Sequence, residues 1–336
     1  MLHFFHYAQP FYLENGQTLP ALQIAYHTYG KLNANKDNVI WICHALTANA
    51  DAVDWWTGLI TAETPINPET HFIVCANILG SCYGTTGPLS TNPATGNPYY
   101  HSFPDITIKD MVQAHILLRV HLGITQIQLL IGGSMGGYQA LEWALTEREK
   151  VERLFLLATS AAESAWGIGI HTAQRLAIEA DATFGDLHEK AGAKGLKAAR
   201  AIGMITYRNH HLMNQLQTDP DLQKLENYKA ESYIRHQGDK LVNRFNAYSY
   251  WKLTKAMDTH NIARSRGSSM EAILKQIAQP TLLIGIHNDL LCPIEEQRHI
   301  AAHLPDCHFV EMHSKYGHDG FLIETVQING QLEKWL

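Results

Sequence analysis

At 336 residues, with 46% hydrophobic and 17% charged residues, the chain has enough apolar material for one large core, or a core with an insertion, which excludes a disordered polymer. A net charge of −6 favours solubility and excludes a general nucleic-acid binder. The opening MLHFFHYAQPFYLENG lacks the basic start and apolar stretch of a secretory signal, no apolar run is long enough for a bilayer, and five cysteines without CxxC spacing read as reduced thiols, so a cytoplasmic protein without membrane partners is expected.

Leu22 to Tyr29 alternates apolar and polar residues, as a half-exposed strand at an antiparallel sheet edge does. Val39 to Cys43 and Phe72 to Ala76 are short, continuously apolar strands. Between Asn77 and Pro104 runs a Gly/Pro/Asn-rich stretch too long for an ordinary connection, which predicts a packed functional loop. Ile108 to Leu122 has helical periodicity; Gln126 to Ile131 reads as a buried strand, Met135 to Leu145 as a helix and Val151 to Ala158 as another buried strand. This alternation predicts an α/β fold with a mostly parallel sheet and helices on both faces. From Ser160 to about Gln279 the chain is helix-like throughout, and strand character returns at Thr281 to Ile286 and His308 to Met312, with helices over Pro293 to His303 and Gly320 to Leu336. The expected organisation is a core built from residues 1–160 and 280–336, with a helical lid over 161–279.

Gly132-Gly133-Ser134-Met135-Gly136 lies between the predicted strand and helix and carries the GxSxG pattern of a nucleophile elbow, which holds a serine on a crowded turn that only small neighbours fit. A serine hydroxyl needs a histidine base oriented by a carboxylate, in the chain order Ser, Asp or Glu, His in the α/β-hydrolase fold. Asp289, in the loop after Ile286, and His318, in the glycine-flanked loop after the last strand, both fall at carboxyl ends of consecutive strands and are the candidate orienter and base. The oxyanion hole falls to the N–H groups of Met135 and of Leu46, in the loop after His44. Twenty histidines raise the question of a metal, but none forms HExxH and the pair His299 and His303 lacks a third ligand, so no metal is expected.

CHALTANAD (Cys43 to Asp51), NILGSCYGTTGP (Asn77 to Pro88), FPDITIKDMV (Phe103 to Val112), IGGSMGGYQALEWA (Ile131 to Ala144), SAWGI (Ser164 to Ile168) and YGHDGFL (Tyr316 to Leu322) resemble the homoserine O-acetyltransferase family, a likeness running from about Phe11 to about Leu322. The resemblance implies an α/β-hydrolase core with a helical lid, a homodimer formed through the lid, no permanently bound cofactor, and acetyl-CoA and L-homoserine as substrates of a two-step acetyl transfer that serves methionine biosynthesis. It makes Ser134 the nucleophile, Asp289 the orienter and His318 the base. It assigns Arg200 and Tyr207 to the amino-acid acceptor and Asp319 to the acceptor's ammonium group. Seven residues apart, Arg200 and Tyr207 share a helix face, and a guanidinium fork suits a carboxylate; Asp319 also reads as a helix N-cap before Gly320.

Two stretches depart from the family pattern. Ala48 to Trp56 lacks the glycine and histidine that many members carry in this loop, and Asn246 stands where aspartate is more frequent. The first lies near the expected donor entrance and leaves open succinyl-CoA as donor or serine as acceptor. A small-ester serine hydrolase shares the triad and is separated from a transferase by dependence on an acceptor, whereas a non-catalytic binding protein has no use for an intact triad.

Overall fold

Alternation in the central strands divides their side chains between two cores, one on each face of a single sheet. In a computed structural model describing residues 1–336, the strands are β1 (Leu2–Tyr7), β2 (Phe11–Tyr12), β3 (Thr18–Leu19), β4 (Leu22–Tyr29), β5 (Val39–Cys43), β6 (Phe72–Ala76), β7 (Leu129–Gly133), β8 (Leu154–Leu157), β9 (Thr281–Ile286) and β10 (Cys307–Met312). Eight of them form one sheet in the order β1-β4-β6-β5-β7-β8-β9-β10, while β2 and β3 form a small hairpin. From β6 to β10 every pairing is parallel; β4 and β1 add an antiparallel edge. Val39, Trp41 and Cys43 of β5 pack into the core under the helices Ile108–His121 and Met135–Thr146, whereas Ile40 and Ile42 pack on the opposite face with Trp56 and with Ile328 and Leu332 of the last helix. No helix is long and apolar enough to cross a membrane.

Boundaries move where packing overrides propensity. β7 starts at Leu129, three residues later than the apolar run, and extends through Gly132 and Gly133, which pair with Cys43 and with Leu156 and Leu157. Glycine is a poor strand former. Here it is required, because a Cβ on Gly132 would stand 2.2 Å from the Gly136 carbonyl oxygen and one on Gly136 would stand 2.1 Å from that of Cys43. The helix after Ser134 thus rests directly on the ends of β5 and β7. The predicted terminal helix is two, Gly320–Ile323 and Thr325–Trp335, broken at Glu324, whose side chain accepts hydrogen bonds from the Ser314 hydroxyl and the Gln327 amide.

Between β8 and β9 the chain forms the helices Ala165–Glu179, Ala193–Tyr207, His210–Gln217, Lys229–Val242, Ala247–Asp258 and Met270–Leu274. The second of these packs against both the first and the fourth. This excursion is tied off where it leaves the sheet: the Glu163 N–H donates to the His260 carbonyl, the Ile262 N–H to that of Ala161, and His260 Nε2 lies 2.9 Å from the Ser160 carbonyl oxygen. Asn246 caps its helix by accepting from the Ser249 N–H at 2.8 Å, a task that asparagine and aspartate perform alike.

The close approach at Gly136 and the open surroundings of Gly330 predict opposite signs. G136A should lower the unfolding free energy by about 3 kcal/mol through overpacking. G330A, mid-helix with no neighbour within 4 Å of the added carbon, should raise it by about 0.5–1 kcal/mol. Urea unfolding of the two variants checks both.

Candidate active site

Ser134 takes φ +54° and ψ −127°, a strained conformation for a residue with a side chain. The surroundings hold it there. Its N–H donates to the Leu157 carbonyl at 2.9 Å, and its carbonyl accepts from the Gly137 N–H at 2.8 Å and the Thr159 hydroxyl at 2.9 Å. Its Oγ lies 3.0 Å from His318 Nε2, and His318 Nδ1 lies 2.6 Å from Asp289 Oδ2. The other Asp289 oxygen accepts from the N–H groups of Leu291 and Cys292 at 2.8 and 2.9 Å, so the carboxylate is fixed at both ends. All three side chains are buried. Burial pulls the His318 imidazole down, but the Asp289 charge and its hydrogen bond outweigh burial and hold the base above its ordinary value of 6.5. The geometry suits proton transfer from the hydroxyl to an oriented imidazole.

Gly317, at φ +65°, lets the histidine loop press against the helical excursion, where a Cβ would stand 3.0 Å from the Tyr207 carbonyl oxygen and the Asn209 nitrogen. The base is therefore positioned from both the sheet and the excursion.

The loop carrying Leu46 is held by a chain of buried polar contacts that sequence reasoning did not find. His44 is buried, which pulls its pKa down to about 4, and as a neutral ring it accepts the Ile78 N–H on Nε2 at 3.1 Å while Nδ1 lies 2.9 Å from the Ala45 carbonyl. The Gln139 amide donates to the carbonyls of both His44 and Met135, at 3.2 and 3.1 Å, and its oxygen lies 2.9 Å from His115 Nε2. One side chain thus ties the loop after β5 to the helix after Ser134. The Leu46 N–H makes no hydrogen bond, and Met135 opens its helix, so its N–H is one of the unpaired first-turn donors. From the predicted long loop, Asn77 accepts the Ala50 N–H at 2.9 Å and donates to the Tyr83 carbonyl at 2.8 Å, pinning the divergent segment around Asn49.

A cavity of about 350 Å³ opens over the serine, and Ser134, Leu46, Arg200, Tyr207, His318 and Asp319 all line it. The Arg200 guanidinium stands 5.4 Å from the Tyr207 ring centre and makes no ion pair, its Nε buried without an acceptor. Asp319 is not a cap: its side chain accepts nothing from the helix that follows, and its carboxylate lies 3.2 Å from Arg208 Nε. Burial raises the Asp319 pKa against the opposing pull of Arg208. His171 also lines the cavity; its Nδ1 lies 2.8 Å from Asp258, which Arg175 also contacts, and beside it Tyr138 donates to Glu163, whose pKa burial pushes up to about 7. His171 and Arg175 stand four apart on one helix, but Tyr138 and Asp258, which complete the cluster, lie far from them in the chain, so no motif signals it.

The rings of His299 and His303 lie 4.6 Å apart and tilted on an outer helix, with Glu271 3.9 Å from His299. Ligand-type atoms close enough to share an ion occur at Asp289, Cys292 and His318, where the carboxylate and imidazole are already engaged with each other.

The alpha/beta hydrolase fold family model matches residues 38–325. The homoserine O-acetyltransferase of Cyclobacterium marinum is 50% identical over 318 residues, covering 94% of this chain and 90% of that protein. The homoserine O-acetyltransferase of Trichormus variabilis is 44% identical over 329 residues, covering 97% and 91%. Among solved structures, homoserine O-acetyltransferase from Bacillus anthracis superposes with a TM-score of 0.92 at 25% identity, over 100% of this chain and 97% of that one. Esterase E22 superposes with a TM-score of 0.90 at 22% identity, a likeness of fold. Identity at this level over nearly the whole length settles the family: the chain belongs to the homoserine O-acetyltransferases, acyltransferases built on the α/β-hydrolase fold.

Proposed function

We propose that this enzyme moves an acetyl group from acetyl-CoA to the side-chain hydroxyl of L-homoserine through an acetyl-Ser134 intermediate, giving O-acetylhomoserine for methionine biosynthesis. The observation that carries the proposal is the serine–histidine–aspartate line on the wall of a cavity that also holds an unpaired guanidinium. A half-buried guanidinium on a cavity wall, with no ion-pair partner, calls for an anionic ligand group.

Ser134 Oγ attacks the thioester carbonyl while its proton passes to His318 Nε2, and Asp289 stabilises the imidazolium. The oxyanion is held by the N–H groups of Leu46 and Met135. Collapse expels CoA, which takes the proton from His318 and leaves acetyl-serine. Homoserine then enters with its carboxylate on Arg200 and Tyr207 alongside, and its ammonium near Asp319. Its hydroxyl attacks the acetyl carbon, giving its proton to His318, and collapse returns that proton to Ser134 Oγ. Water competes for the same intermediate. The helical residues 161–279 act as a lid that narrows access, and the acceptor clamp sits within that lid. Exposed Trp166, Leu176, Leu187 and Ile205 on the lid support its use as the surface through which two copies pair.

CoA release by the purified protein tests the reading: it should require acetyl-CoA and homoserine together and disappear in S134A. Release that is equal without acceptor assigns a hydrolase, and preference for succinyl-CoA or serine keeps the mechanism and changes the substrates. R200M should raise KM for homoserine about ten- to a hundredfold, the worth of a charge-assisted pair to a carboxylate.

The pH dependence follows from the raised His318 value. The base must be neutral to accept the serine proton, so kcat/KM for acetyl-CoA should rise with pH, with a midpoint above 6.5. D289N removes the charge that raises it, so the midpoint should move to lower pH while kcat falls by about four orders of magnitude, the loss that mis-orienting the histidine brings in serine triads. A pH–rate profile of both proteins reads the shift.

A further inference from the structure

Gln174 lies on the helix Ala165–Glu179, one turn beyond His171, and is 1% exposed. Its side chain lines the cavity over Ser134, and its carboxamide oxygen is buried without a donor. Arg200 Nε is buried without an acceptor in the same cavity. The two helices that carry these side chains pack along one another. Gly203 marks where they meet. It stands one turn after Arg200 and one turn before Tyr207, and a Cβ there would be 3.1 Å from Gln174 Nε2 and 3.2 Å from the Tyr207 ring. The nitrogen end of the Gln174 amide therefore lies against the helix step between the two residues proposed to meet the acceptor.

Buried polar atoms without partners are rare in folded proteins, and a pair of them on one cavity wall, one acceptor and one donor, matches a ligand that carries the complementary pair. Resting on the acyl transfer to homoserine proposed above, we propose that Gln174 Oε1 accepts a hydrogen bond from the acceptor's α-ammonium group and so determines specificity for α-amino acids. The hydroxyl end of the acceptor is committed to Ser134 and His318, and its carboxylate to Arg200. The ammonium is carried on the carbon next to the carboxylate, so it arrives near Arg200, and the Gln174 amide packs one turn along the Arg200 helix, at Gly203. Asp319 alone is a poor anchor, because its carboxylate already faces Arg208 at 3.2 Å. A neutral carbonyl holds an ammonium without competing for Arg200, which a second carboxylate at this place would do.

4-Hydroxybutyrate, which is homoserine without the amine, isolates the contact. The readout is the ratio of kcat/KM for homoserine to that for 4-hydroxybutyrate, with acetyl-CoA as donor. In the wild type the ratio should be large. In Q174M it should fall roughly ten- to a hundredfold, the worth of one hydrogen bond to a charged group. Q174E keeps an acceptor oxygen and should retain the wild-type preference even if KM for both acceptors rises through pairing with Arg200. A Q174M ratio equal to the wild-type one, or a Q174E ratio that falls as far as that of Q174M, overturns the proposal while homoserine-dependent release leaves the acyl-transfer reading standing. Wild-type protein that uses 4-hydroxybutyrate as well as homoserine overturns it without any variant. CoA release that ignores acceptors altogether overturns both.

Discussion

Everything near the catalytic serine serves to keep one residue in a backbone conformation that it resists. At φ +54° and ψ −127°, Ser134 carries strain on the order of 1–3 kcal/mol. That strain persists only because the turn is clamped between two strand ends. The Cys43 and Gly136 carbonyls occupy the space where side chains at positions 136 and 132 would be, so the helix after the serine lies against β5 and β7 without intervening atoms. The same contact brings the loop after β5 over the serine, and Gln139 fixes it there through the His44 and Met135 carbonyls. Strain at the nucleophile, placement of the oxyanion donors and the glycine pattern are thus three consequences of one close packing.

This explains which parts of the molecule were legible in the sequence. GGSMGG could be read because the constraint is local: small residues at fixed offsets around a serine leave few other interpretations. Asp289 and His318 could be read because the parallel sheet places loop residues after successive strands on one edge, and the contacts of 2.6 and 3.0 Å follow from that topology. Arg200, Tyr207 and Asp319 depended on resemblance to a known family, since a lone arginine on a helix carries no signal of its own. The partnership of Asp319 with Arg208, the bridge made by Gln139 and the buried group of Glu163, His171 and Asp258 were not legible. Each joins residues through contacts that no period or motif encodes. The strand end at Gly133 was missed for a related reason: local propensity disfavours glycine in a strand, while the packing of the next helix demands it.

The sheet and the excursion divide the chemistry between them. On the proposed reading, the triad and the two oxyanion donors belong to the sheet and its loops, and they suffice for nucleophilic attack on an activated acyl group. Arg200, Tyr207 and Gln174 belong to the excursion, and the proposed mechanism gives them no part in that first step. The likeness of fold to an esterase spans the whole chain, excursion included, so the fold alone does not separate transfer from hydrolysis. What decides between water and an amino acid as the second nucleophile is the chemistry presented by the other wall of the cavity.

That wall is joined to the triad by more than proximity. Gly317 lets the loop of His318 touch the backbone of Tyr207 and Asn209, at the end of the helix that carries Arg200. A displacement of this helix would therefore act on His318 as well as on the proposed acceptor clamp. Such a displacement is resisted by the neck at Ala161–Glu163 and His260–Ile262, where backbone hydrogen bonds close the excursion on itself before it re-enters the sheet. In the proposed mechanism a pre-organised clamp would also limit hydrolysis, since an acceptor bound through carboxylate and ammonium reaches the acyl carbon in one orientation, whereas water has no such hold. On that proposal, transfer rather than hydrolysis would depend on how rigidly the excursion is anchored, and the positive-φ Gly317 beside His318 is the point at which that rigidity meets the triad.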